Sequence, residues 1–324
     1  MKKDLSKIVI KTLDSNYADY RDFIDAPIYK DEISNEIEGP VAPSCFLGAY
    51  YRKVFSSKDN WLGIEGVITL GEFLPDEKRF GNDKRIDYDR FLDNPSIYMG
   101  GQAASESDAG LGMNFGYDKK GNKQEFNYGS PKVAYRPFWR YIYSEVLDVN
   151  TNVERKDVNS WNVSNVEDLD FYYFPGDKIK MSVYSPLKDY LQLRIELLEE
   201  TKIEKYAKIR NAFELKRKPR TFYSPLFHSE GHGSQLAEFK RVNSIDQYGN
   251  EGFIVSKTES KVTEATWENT YLFRKIDNVI YRVEMNENRS ANMACPNPES
   301  FTIEKLNNGG EKITIHPNYY KDKN

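Results

Sequence analysis

Strict alternation of apolar and polar residues constrains this chain more than any other feature. Tyr190–Leu198 reads YLQLRIELL, with Leu191, Leu193, Ile195 and Leu197 alternating against Gln192, Arg194 and Glu196. Successive side chains of an extended strand point to opposite faces, so this pattern buries one face and wets the other. Lys178–Ser185 (KIKMSVYS) does the same with Ile179, Met181 and Val183. Comparable runs occupy Leu47–Val54, Leu62–Thr69, Val133–Val146, Leu236–Ile245, Phe253–Ser256, Tyr271–Ile276, Asn278–Met285 and Lys312–His316. Turn chemistry separates them, at 175–177 (PGD), 248–250 (YGN), 277–278 (DN) and 308–310 (NGG).

Ten or more short strands with little helix predict an all-β chain, an antiparallel β-sandwich of jelly-roll type. One accessory helix is expected in Glu199–Leu215, where Ile203, Tyr206, Ile209 (or Arg210) and Phe213 recur at helical spacing and would cover a sheet face or edge. Residues 1–45, acidic and proline-containing, read as an arm packed on a single domain at 46–324, which carries an insertion at about 199–233. In a chain of 324 residues, 23 Tyr and 18 Phe supply ample bulk for burial. A net charge of −4 and a pI near 5.7 argue against a nucleic-acid partner or an anionic membrane surface. The densest basic run, Lys216–Arg220, is short and reads as a solvated turn. No stretch approaches the roughly 18 apolar residues of a membrane span. The N-terminal lysines are not followed by a signal-like apolar segment, so a cytoplasmic location is expected, with non-classical export as the alternative. Cys45 and Cys295 are then expected to be separate thiols in a reducing compartment, a single long-range bridge being the other option.

Chemistry is suggested first by Ile97–Gly116, a hairpin with glycines at 100, 101, 110, 112 and 116. Repeated glycine in strands marks a bulge or a place where something packs on the backbone, here the floor of a groove. Gln102 and Asp108 sit in or beside it. Leu236–Ile245 (LAEFKRVNSI) has no cleanly apolar face, so one side is expected to line a polar groove or to hold a Glu238–Lys240 pair on a solvated surface. A second carboxylate near Glu238 would raise its pKa and suit it to general acid or base work. In Val133–Glu145, Tyr135, Trp139, Tyr141 and Tyr143 form one row, and Arg136, Phe138 and Arg140 the other. Exposed, that row with Trp61 would stack sugar rings, making Trp139, Tyr141, Arg136 and Trp61 candidate ligand contacts; buried, it is core. His228, Glu230 and His232 share one face if the segment is a strand and could hold zinc; otherwise they are incidental residues of a loop. Nucleotide, nucleophile-elbow and zincin motifs are missing, and no cofactor is expected.

Taken in order, Trp61–Gly66 (WLGIEG), Asp108–Leu111 (DAGL), the strand around Trp139, Pro175–Ile179 (PGDKI) and Ala237–Phe239 (AEF) resemble the successive strands of the glutamic peptidase (eqolisin) family. The resemblance spans about Trp61–Ile245 and implies a concanavalin-like sandwich. It places the family's catalytic glutamate on Glu238 and its catalytic glutamine on Asp108. An ionised aspartate cannot donate to an oxyanion as a glutamine amide does. Gln102 would substitute only if the register shifts. The small-residue strand also resembles bacterial lectin-like sandwich proteins, which implies no catalysis. Two functions are therefore expected: a non-catalytic binding or structural module for a carbohydrate or protein ligand, or an acid hydrolase with Glu238 as general base.

Overall fold

The computed structural model describes residues 20–31, 33, 36–81, 90–113, 134–145, 156–164, 171–212, 221–306 and 310–317. Its first strands are β1 (Ala49–Ser56), β2 (Trp61–Thr69), β3 (Glu72–Leu74), β4 (Phe80–Gly81), β5 (Arg90–Phe91), β6 (Asp93–Gln102) and β7 (Glu106–Met113). They are followed by β8 (Tyr135–Glu145), β9 (Lys156–Val163), β10 (Lys178–Leu187), β11 (Tyr190–Glu199), β12 (Phe222–Tyr223), β13 (Phe227–His228) and β14 (Glu238–Gln247). The last are β15 (Lys261–Ile276), β16 (Val279–Glu284), β17 (Ser290–Cys295), β18 (Phe301–Lys305) and β19 (Glu311–Ile315). The described residues also form two short α-helices, α1 (Tyr20–Ile24) and α2 (Glu204–Ala212).

The strands form an antiparallel β-sandwich. One sheet has the order β17-β1-β14-β6-β7-β8-β9; the other follows β12-β11-β10-β2-β15-β19-β18, with β13 on β11 and β3 and β16 on β15. Alternation places Ile179, Met181 and Val183 of β10 and Leu191, Leu193 and Ile195 of β11 in the core, all fully buried. Opposite them lie Ile97 and Met99 of β6, Ala109 and Leu111 of β7, and Phe239 and Ile245 of β14.

The core also carries polar ties between the sheets. Glu311 of β19 receives Arg241 of β14 at 2.7 Å and Arg52 of β1 at 2.7 Å. Burial alone would push the Glu311 carboxyl up, but the two guanidinium groups overcome it and hold the pKa low. The Trp267 indole N–H of β15 donates to the Asn243 side chain of β14, so a buried polar atom on each sheet is satisfied by the other.

Several expectations are met and several are revised. The Phe253–Ser256 run forms no strand: Gly249 and Gly252 turn the chain at positive φ, and the Ser256 N–H donates to the Gln247 side chain at 2.6 Å instead of to a ladder. The helix begins later than the spacing suggests, at Glu204, because Glu199 still belongs to β11. It packs Tyr206 and Ile209 against Ala134, Tyr172 and Phe174. Lys216–Arg220 lies outside the described residues. In the N-terminal segment, Phe23 of α1 packs on Tyr184 and Phe273 of the second sheet, and Arg282 donates to the Ala26 and Ile24 carbonyls. No helix among the described residues is long and apolar enough to cross a membrane.

The two cysteines are not separate thiols. Cys45 and Cys295 form a disulfide across a sequence separation of 250. Nothing local in the sequence signals it; the pairing of β1 with β17 sets Cys295 opposite Tyr51, close to the segment that leads into β1. A cross-link over so long a loop restricts the unfolded chain strongly. Thiol titration of the denatured, unreduced protein should therefore find no free thiol, and two after reduction. Cys295→Ser should lower unfolding stability by about 2–5 kcal/mol in denaturant melts.

Candidate functional site

Strand β14 is buried on both faces. Its odd-numbered residues enter the core, and Glu238, Lys240, Val242, Ser244 and Asp246 alternate onto the outer face of the first sheet. Register then builds rows across neighbouring strands. Glu238 stands opposite Gln102 of β6, which stands opposite Glu106 of β7. The next row on this face is Phe55, Lys240, Gly100, Asp108 and Arg140. After it come Lys53, Val242, Tyr98, Gly110 and Phe138.

Gly100 makes the second row possible. It separates Lys240 and Asp108 by two strand spacings, roughly 9–10 Å of backbone, yet the ammonium reaches the Asp108 carboxylate at 2.9 Å. With no side chain on Gly100, nothing stands in the path. A Cβ added there would also collide with the Ser107 carbonyl of β7. Lys240 pairs with Glu106 as well. Its burial opposes the charge, but Asp108 and Glu106 outweigh burial and hold the ammonium protonated above the usual lysine range. In turn, Lys240 chiefly draws the Glu106 carboxyl down. The hairpin glycines do not share one face. Gly100 and Gly110 lie on the outer face, where Tyr98 and Phe138 stand with ring centroids 6.0 Å apart beside the Gly110 row. Gly101 lies against His232 and Phe239 on the core side, and Gly116 lies outside the described residues.

Glu238 has no such cation of its own. It is half-buried, and that burial raises its pKa, with Glu106 and Glu38 adding to the rise and Lys240 and Lys58 opposing it. The expected Glu238–Lys240 pair on a solvated face is therefore replaced by Lys240–Glu106 and Lys240–Asp108. Gln102 is also partly exposed, and its amide makes one long contact, 3.3 Å to the Ala103 carbonyl. Cross-strand neighbours stand roughly 4.5–5.5 Å apart at Cα, within joint reach of one small group. The register separates the two residues that the sequence offered for the glutamine position. Asp108 belongs to the Lys240 row, and Gln102 is the residue beside Glu238.

The expected aromatic platform is not on this face. Tyr135 is fully buried, and Trp139 packs against the core with its ring centroid 6.1 Å from Phe222. Tyr141 stands in register with Ser107; its side chain lies outside the described residues. Trp61 is fully buried, its indole N–H donating to the Ser57 carbonyl at 3.1 Å. Arg136 is buried too, beside the Tyr172 ring and the Ser164 carbonyl. An aromatic row on a sandwich strand sits inside when its face is the one that meets the second sheet.

The expected metal cluster also comes apart. Strand β13 ends at His228, so alternation does not carry Glu230 and His232 onto one face with it. His228 lies against the Tyr190 ring, and Glu230 is exposed. His232 turns inward over Gly101, where a Cβ would strike its Nε2. Among the described residues, no three His, Cys, Asp or Glu side chains are grouped to hold a metal ion. His232 instead ends a buried chain: Ser107 and Ser229 share a hydrogen bond, and the Ser229 hydroxyl meets His232 Nδ1 at 2.8 Å.

The fold and groove define an antiparallel β-sandwich with a carboxyl–amide pair on the outer face of one sheet. No family model matches the chain, and no curated protein matches it. Among solved structures it is similar to Scytalido-glutamic peptidase with a peptide-based transition state analog, at 8% identity and a TM-score of 0.38, covering 82% of this chain and 98% of that one. A second structure of that peptidase, with a transition state analog inhibitor, gives 9% identity, a TM-score of 0.37, and coverage of 84% and 100%. SCP-B, a member of the Eqolisin family in complex with the tripeptide Ala-Ile-His, gives 8%, 0.35, and coverage of 82% and 98%.

Two pH dependences follow from the site. The folded Glu238 carboxyl holds its proton to higher pH than an unfolded one, whose pKa is near 4.5. Its contribution to stability is complete below that value and is lost as pH rises through the folded pKa. Glu238→Gln should consequently raise the melting temperature at pH 7 and leave it unchanged at pH 4; an equal effect at both would refute this. His232 runs the other way. Burial, the largest influence, depresses its pKa from 6.5 to about 4, so its stability contribution is present above pH 6.5 and drains as pH falls toward 4. The loss should reach roughly 3 kcal/mol, and His232→Gln should flatten that part of the stability profile in melts at pH 7, 5.5 and 4.5.

Proposed function

We propose that the outer groove of the first sheet is a hydrolytic site working in the mildly acidic range, with Glu238 as general base and Gln102 as oxyanion donor. One observation carries this reading: a half-buried carboxyl of raised pKa lies directly across the strand from a side-chain amide on a partly open face. Ionised Glu238 takes a proton from water, and the resulting hydroxide equivalent attacks a scissile carbonyl. The Gln102 amide donates to the developing oxyanion, and the Glu238 carboxyl then returns its proton to the leaving group. Lys240 pairs with both Glu106 and Asp108, which leaves Glu238 as the carboxyl free to cycle. On this reading the chain is a relative of the glutamic peptidases whose amide stands on β6, two residues along from Gly100, the partner of Asp108, and peptides are the first substrates to test.

The disulfide bears on location. Such bonds persist in oxidising compartments, so Cys45–Cys295 favours a site of action outside the cytoplasm over the cytoplasmic expectation. A second reading is a non-catalytic binding module, for a protein or carbohydrate ligand, on the same face. The closed Lys240–Glu106–Asp108 network favours it, because a recognition surface is served by charges already fixed in place. Burial of Trp61, and the packing of Trp139 against the core, take both away from the outer face, where a stacking platform for a lectin-like sugar site was expected.

Casein and mixed-peptide cleavage should be measured between about pH 3 and 7. Glu238→Ala should reduce turnover by about 10²–10⁴-fold and Gln102→Ala by about 10²–10³-fold, both without loss of the folded state. No cleavage at any pH, or undiminished cleavage by Glu238→Ala, would reject the hydrolytic reading. Retained ligand capture on peptide and glycan arrays would then support the second.

A further inference from the structure

Asp189, in the turn between β10 and β11, holds a backbone conformation that turn chemistry gives most cheaply to glycine. Its φ is 62, in the left-handed region where a side chain is a burden. What the aspartate adds is a carboxylate. Its Oδ1 accepts the Gly231 N–H at 2.8 Å, with a longer contact of 3.5 Å from the Ser234 hydroxyl. The main chain of Asp189 binds the same segment twice more: its N–H donates to the His232 carbonyl, and its carbonyl accepts the Ser229 N–H, both at 2.8 Å. The ion pair with neighbouring Lys188 does not explain the residue, because it spans 4.0 Å to an exposed lysine, and such pairs contribute little. A turn of the second sheet thereby grips the loop 229–235.

That loop touches both members of the carboxyl–amide pair. On one side it holds the tip of the β6–β7 hairpin. The Ser105 N–H donates to the Glu230 carbonyl at 2.9 Å, Ser107 and Ser229 share a hydrogen bond, and His232 lies on Gly101, the residue before Gln102. Gly231, at φ 87, comes so close to the tip that an added Cβ would stand 2.7 Å from the Ala104 nitrogen. On the other side the loop runs into Glu238 through Ala237, whose N–H and carbonyl both pair with Asp59, at 2.8 and 3.1 Å. We propose that Asp189 is a positioning residue for Glu238 and Gln102, ordering both from the second sheet through the loop 229–235. For its effect on turnover this role rests on the hydrolytic reading of that pair. Two substitutions separate it from a plain turn function. Asp189→Gly suits the left-handed backbone but takes the carboxylate from the Gly231 N–H. Asp189→Asn tolerates the same backbone and keeps an acceptor oxygen.

The test compares the full-length folded wild type with these two variants. In Asp189→Gly, the backbone amides of Gly231 and Ser105 should exchange hydrogen faster by about tenfold or more, while those of β2 and β15 keep wild-type protection. The side-chain amide resonances of Gln102 should shift or broaden in the same variant, and Asp189→Asn should restore both signals. In peptide cleavage, Asp189→Gly should lower kcat by about 10–10²-fold with KM unchanged, and Asp189→Asn should recover most of the loss. Faster exchange at Gly231 alone, with Ser105 and Gln102 unaffected, would overturn the coupling. A loosened tip with unchanged kcat would overturn the positioning role. Failure of the wild type to cleave any peptide would reject the hydrolytic reading instead, and the Ser105 and Gln102 signals would still decide whether Asp189 orders the pair.

Discussion

The structure depends on the two-sided burial of strand β14. It lies third in its sheet, between β1 and β6, with one face in the core and most of its outer face buried as well. Its odd residues supply Phe239 and Ile245 to the core, along with Arg241 and Asn243, which reach across to Glu311 and Trp267. The Arg52–Glu311–Arg241 triad ties the two sheets at a place where a one-residue slip would bury unpaired charge. Breaking such a buried pair costs about 3–5 kcal/mol, which discourages every competing register. The groove inherits its order from that: once the odd residues are locked inside, Glu238, Lys240 and Asp246 have only the outer face left.

On that face, the placement of charge follows from what is missing. Gly100 leaves a gap through which Lys240 reaches a strand beyond its neighbour, and two acids of β7 are neutralised together. Glu238 is left over, a half-buried carboxyl that desolvation displaces from its usual protonation balance. Groups so placed are costly to keep in the fold, and such sites are where reactivity collects. Glu238 sits on a sheet whose other face is the core.

Much of this was legible in the chain. The period-two runs locate β2, β8, β10, β11, β14, β16 and β19 to within a few residues, because alternation is a direct imprint of one buried face. The Gly-rich hairpin and the strand bearing Glu238 are also visible. Strands such as β9, β17 and β18 were not, since their sequences (KDVNSWNV, SANMAC, FTIEK) carry weak alternation at the edges of sheets. Helical spacing overextended α2, because Glu199 and its neighbours satisfy a strand as readily as a helix. The histidines at 228 and 232 share a face only if a strand continues through Gly231, which turns the chain at positive φ instead.

By itself, the sequence determined the all-β class, the alternation that divides each strand into two faces, and the residue types available to a site. Tertiary structure decided which face looks inward. That choice buried Trp61 and turned Trp139 against the core rather than offering them to a sugar on the outer face, and it joined Cys45 to Cys295 over a long loop. It set Gln102, not Asp108, beside Glu238. The physical reason is register: alternation has period two within a strand, but nothing in a strand's own sequence states which residue of another strand it will face. Only the packing of both sheets, closed by the Arg52–Glu311–Arg241 contact, selects that pairing.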